Sequence, residues 1–118
     1  MFNVVTDINA FAIIASTLLF TVLGGLYFAV VVARPYRVAL GIDDQEPPQL
    51  GPVFIVGPMV SSLVVVTTTA VLLRALAVVS VTDAAIFGLV VSIGYLVAQT
   101  MNIAINPNIP RPFLYTLI

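Results

Sequence analysis

The sequence contains no histidine, cysteine, lysine or tryptophan, and few charges of either sign. Without cysteine there is no disulfide, no thiolate nucleophile and no iron–sulfur ligation, and the redox compartment leaves no mark. Without histidine the commonest general base and metal ligand is missing, so a histidine-ligated haem or chlorophyll is not held by this chain alone. Without lysine there is no Schiff base. The formal net charge of −1 gives no basic surface for nucleic acid.

Charged residues make up 8% of the 118 residues, and hydrophobic ones 61%. Four arginines and five acids cannot coat a soluble globule of this size, since an ordinary soluble domain is about a quarter charged. Disorder is excluded as well, because it needs low hydrophobicity and high charge. The class that remains is an integral membrane protein.

Three charge-free apolar stretches follow one another along the chain. The first runs over 8–33, which as a helix reaches about 39 Å and crosses a hydrocarbon core of about 30 Å with tilt. A secretory signal peptide is the competing reading, but Asp7 and the lack of any Lys or Arg at the N-terminus argue against it, as does the length of the run. The second stretch covers 53–73, with Gly57–Pro58 near its start predicting a slight kink or a late helix start. Its β-branched run from Val64 to Thr69 would favour a strand in water. In lipid an isolated strand leaves its backbone unpaired, so a helix is expected, and no alternating ten-residue strands of a barrel are present. The third stretch covers 84–105, with Thr82 or Asp83 as its N-cap.

Prolines and arginines mark the breaks. The segment 34–52 holds Arg34, Arg37, three acids and four prolines, and reads as the one substantial polar loop. Asp43, Asp44 and Glu46 could meet a divalent cation, but their spacing fits no EF-hand, and a solvated turn is the simpler reading. Residues 74–83 form a short apolar connection. In the tail 106–118 the prolines at 107, 110 and 112 mark a non-helical crossing, and the apolar Phe113–Ile118, too short to span, reads as the first turns of a further helix returning towards the membrane. The fold class expected is therefore all-α: a single transmembrane domain over 1–118, a bundle of three spanning helices with a short C-terminal segment. Arg34, Arg37 and Arg111 fall on one side of such an arrangement, against Arg74 on the other. That places the 34–52 loop in the cytoplasm and the N-terminus outside.

Within the third helix, Tyr95, Gln99, Asn102 and Asn106 recur at spacings of four, three and four, which puts them on one face. Such a polar face serves interhelical hydrogen bonding, or else lines a ligand, headgroup or proton path. Small residues recur at spacings of four: Gly25 and Ala29 on the first helix, Ala84, Gly88 and Ser92 on the third. Faces of this kind let helix backbones approach closely. No catalytic, cofactor or metal residue is expected. No span contains Asp, Glu, Arg or Lys, and Ser61 and Ser62 have no His or Lys partner for nucleophilic chemistry.

The segment from Ile8 to Phe28, INAFAIIASTLLFTVLGGLYF, and the segment from Thr82 to Ile118 resemble the small bacterial multi-pass membrane family catalogued as domain of unknown function 1761. The resemblance rests on Gly24 and Tyr27 at the end of the first helix, on a glycine-containing third helix, and on the Arg111–Pro112 crossing. It implies a bacterial inner-membrane location and a multi-helix fold, with no activity attached. A fourth helix normally follows in that family, and this sequence stops before it. Two functions are compatible with these features. One is a non-catalytic accessory subunit packed against other membrane proteins in a larger complex. The other is a small homo-oligomeric transporter or lipid-binding protein. Membrane lipids are partners in both.

Overall fold

The computed structural model describes residues 2–46 and 51–118. They form an all-α chain, with no strand among the described residues. Three helical stretches are long and apolar enough to cross a membrane: Ala10–Val31, Val53–Ala75 and Val81–Ala104. At 1.5 Å per residue they reach about 33–36 Å, against a hydrocarbon thickness of about 30 Å. Large apolar side chains such as Phe11, Leu19, Val30, Ile55 and Leu89 are exposed along them. That is the expected state of a chain whose solvent is lipid, where apolar exposure carries no penalty.

The chain divides into two compact units. The first comprises Met1–Gly25 and Pro48–Ala84. It holds most of α1 (Ala10–Leu26) and all of α3 (Val53–Ala75). The late start near Pro58 is not what forms, because α3 begins at Val53 and carries Pro58 inside it. Pro58 leaves the carbonyl one turn before it without a donor, a loss that membrane helices tolerate. Arg74 lies in the last turn of α3, where a cation complements the helix dipole. Thr17 on α1 is the one buried polar residue of the described chain, at 5% exposure, and its hydroxyl has no partner there.

The N-cap of the third span is also corrected. It is neither Thr82 nor Asp83 but Ser80. The Asp83 amide donates to Ser80 Oγ at 3.0 Å, and the Ser80 hydroxyl donates to Asp83 Oδ2 at 2.6 Å. This Ser-x-x-acid arrangement satisfies an orphan donor of the first turn. It starts α4 (Val81–Val91) three residues earlier than the apolar run alone predicts. Asp83 still places its charge in the first turn.

The second unit comprises Leu26–Pro47 and Ala85–Ile118. It departs most from the sequence expectation. The first span does not run evenly to residue 33. It widens into a π-helical turn over Tyr27–Val31, closed by the Val32 amide bonding to the Tyr27 carbonyl. Beyond Val32 a separate helix, α2 (Ala33–Leu40), occupies the start of what reads as a polar loop. Pro35 explains both features. It has no N–H for the Val31 carbonyl, so the span cannot continue through it. In the first turn of a new helix that missing donor is not needed. α2 ends at Gly41, whose φ of 68° is left-handed and whose amide caps the helix.

The third span continues from α4 through a π-helical stretch, Ser92–Val97, into α5 (Ala98–Ala104). Gly94, the weakest helix former of that stretch, lies within it. After the non-helical crossing at 105–111 comes α6 (Pro112–Leu117), with Pro112 at its first position. α6 packs on both α2 and α5. Ala39 of α2 and Ala104 of α5 are completely buried. These small side chains permit the close approach, and with Val32 they are the buried apolar core of the described chain.

Candidate functional site

The end of the second unit where α2, α5 and α6 meet gathers three of the four arginines and three of the four tyrosines of the chain. α2 and α6 run antiparallel. Tyr36 of α2 faces Tyr115 of α6 with ring centroids 5.8 Å apart. A Cβ built on Gly41, just past α2, would lie 2.9 Å from Pro110 Cγ, just before α6. The aromatic contact continues from Tyr36 to Phe28 at 5.5 Å and from Phe28 to Tyr27 at 5.4 Å, both edge-on. Burial first, and then the neighbouring Tyr115 hydroxyl, push the Tyr36 hydroxyl above its ordinary value of 10.0. Sequence reasoning missed this aromatic chain. Its signal was available as tyrosines clustered at the ends of spans, the usual mark of a membrane–water boundary.

Arg37, in the last turn of α2, turns back on the following loop. Its Nη2 donates to the carbonyls of Ile42 at 3.1 Å and Asp43 at 3.4 Å, and to that of Gln45. One guanidinium thereby fixes the loop backbone. An open groove of about 420 Å³ lies beside it, lined by Ala33, Arg34, Arg37, Asp43 and Asp44. Among the described residues no group of three or more His, Cys, Asp or Glu side chains could hold a metal ion.

The structure distributes the residues of the expected polar face. Tyr95 lies in the π-helical stretch and is 73% exposed. Gln99 and Asn102 lie on α5, about one turn apart, and both are exposed. Asn106 is beyond the helix, which ends at Ala104 rather than at residue 105. Its amide donates to the Ile103 carbonyl, and its Oδ1 accepts from the Asn108 amide at 2.8 Å. Asn106 therefore builds the turn towards the crossing, as Asn commonly does. The strict helical period between residues 95 and 106 is broken at both ends, by the π stretch and by the turn.

The small residues fall as follows. Gly25 belongs to α1, Ala29 to the π turn after it, and Ala84 and Gly88 to α4, while Ser92 opens the π stretch. A Cβ added at Gly25 or at Gly88 would meet no atom within 4 Å among the described residues. Neither glycine is needed for a close approach among the described residues.

No curated protein matches the chain, and no solved structure matches it. A family model described as "Protein of unknown function (DUF1761)" matches residues 11–118, from the first turn of α1 through α6. The chain belongs to the DUF1761 family.

Proposed function

We propose that the chain is a non-catalytic subunit of a larger membrane assembly, with its third helix as the contact face. The observation that carries this reading is the state of Gln99 and Asn102. Both amides are exposed on an apolar helix, and neither takes part in a side-chain hydrogen bond among the described residues. Asn102 lies two residues from the helix end, within reach of headgroups. Gln99 lies five residues in, about 8 Å from that end. An amide at that depth is costly without a partner. A neighbouring helix supplies one, at a gain that averages about 0.6 kcal/mol per bond in membrane proteins. The open space over Gly25 and Gly88 supports the same reading, because it leaves two small-residue faces for helices of other proteins.

The bacterial inner membrane is the proposed location, with the N-terminus outside and the 34–52 loop in the cytoplasm. The arginine count supports that orientation: Arg34, Arg37 and Arg111 against Arg74. The second reading is a homo-oligomeric transporter. It is favoured by the exposure of Tyr95, which lies about 14 Å inside the end of the third span and could line a pathway.

The double variant Gln99→Leu/Asn102→Leu separates the two. As a subunit the chain is expected to lose assembly, read as a shift from a complex to the mass of the single chain in mild detergent, with no flux defect in proteoliposomes. Retained assembly with lost solute flux would replace the subunit reading by transport.

A further inference from the structure

We propose that the groove between α2 and the loop that follows it binds the headgroup of a zwitterionic phospholipid, one carrying a phosphate and a primary ammonium. The groove lies directly after the end of the first span at Val31, so its ligand comes from the boundary between lipid and water. Its volume of about 420 Å³ is within the range of about 300–1,000 Å³ that small-molecule sites occupy.

The lining carries both signs of charge in one short stretch of chain. Arg34 and Arg37 stand on α2, and Asp43 and Asp44 on the loop. No ion pair of 4.0 Å or closer joins these cations and carboxylates among the described residues. A ligand with a positive and a negative end satisfies both at once, while a singly charged one leaves like charges facing it. Guanidinium is the side chain best shaped for a phosphate, to which it can present two parallel N–H groups. A primary ammonium offers three N–H donors that suit two adjacent carboxylates.

The groove is also held in shape. Arg37 fixes the loop through the backbone carbonyls of Ile42, Asp43 and Gln45, which sets where Asp43 and Asp44 stand relative to α2. Arg34 is exposed and donates no hydrogen bond among the described residues. It is the cation left for the phosphate, with Arg37 as the positioning residue. The proposal is independent of the subunit reading, because it needs only that the groove lie at the membrane surface.

The test uses the full chain purified in detergent and supplemented with phosphatidylethanolamine, phosphatidylglycerol or phosphatidylcholine of identical acyl chains. Native mass spectrometry counts the lipid retained. Phosphatidylethanolamine should be retained several-fold over phosphatidylcholine, whose three methyl groups remove the N–H donors, and over phosphatidylglycerol, which has no amine. Arg34→Gln should bring it down to the phosphatidylcholine level. The double variant Asp43→Asn/Asp44→Asn should lose the same preference and gain phosphatidylglycerol, since the groove is then purely cationic. Soluble phosphoethanolamine should displace the bound lipid where inorganic phosphate at the same concentration does not. All three side chains altered are exposed, so helix content by circular dichroism should stay unchanged. Equal retention of the three lipids, a preference for phosphatidylglycerol in the unaltered chain, or a preference that survives both variants would overturn the proposal.

Discussion

The Tyr27 hydroxyl donates a 2.8 Å hydrogen bond to the main-chain carbonyl of Ile118, 91 residues further along the chain. Tyr27 opens the π turn that ends the first span, and Ile118 follows α6. With the Tyr36–Tyr115 contact this bond fixes α6 against the α2 end of the second unit. Tyr27→Phe keeps the ring and its edge-on contact with Phe28 and removes only the donor. The expected loss is about 0.5–1.5 kcal/mol, typical of a neutral hydrogen bond. It should be confined to α6, seen as faster amide exchange over 112–118 with the spans unaffected.

Gly41 is constrained twice, by its φ of 68° and by Pro110 Cγ at 2.9 Å from where a Cβ would stand. Gly41→Ala is expected to destabilise by about 1–3 kcal/mol, since a non-glycine residue held in the left-handed region is strained. Adding Pro110→Ala should restore the part due to the clash and leave the part due to φ. Thermal unfolding in detergent of the two single variants and the double variant measures both parts. Full recovery in the double variant would show that φ carries no penalty here.

Tyr36 has its ionisation held above 10.0 by burial and by Tyr115. The raised value means that the folded chain binds this proton more tightly than the unfolded one. The corresponding stability is present below pH 10, and is lost as pH rises through the higher folded value. Ultraviolet titration should show a tyrosine step above the ordinary value of 10.0 that belongs to Tyr36. Tyr36→Phe should abolish that late step, and its persistence would assign the step elsewhere.

Much of the architecture was legible in sequence because lipid imposes simple rules. A charge-free run of about twenty residues must be helical in a bilayer, and all three such runs are. What escaped was decided by individual donors and acceptors. The loop reading of residues 34–40 failed because Pro35 ends one helix but is harmless at the start of the next. Ser80 rather than Thr82 or Asp83 became the cap because its hydroxyl reaches the amide three residues on, which apolar periodicity does not register. The stripe from Tyr95 to Asn106 assumed an unbroken period. A π stretch and a local Asn turn both interrupt it. The mixed-charge groove depends on Arg37 folding back on the loop, a contact that the spacing of the charges does not reveal.

Orientation can be tested on a chain that has no native cysteine to interfere. A single cysteine at Gln45, which is exposed in the loop after α2, should resist a membrane-impermeant maleimide in intact cells and react after lysis. Labelling in intact cells would invert the proposed orientation.

The central claim is that this chain works as a subunit, and the mass of the particle it forms tests it most directly. The unaltered chain, tagged and extracted in a mild detergent, should run on native mass spectrometry as one discrete complex of fixed stoichiometry with other membrane proteins. Gly88→Leu should shift it to the 12.5 kDa chain with its helix content intact, because a Cβ at Gly88 meets no atom within 4 Å among the described residues. A stable, monodisperse monomer from the unaltered chain, without a stoichiometric companion, would contradict the account.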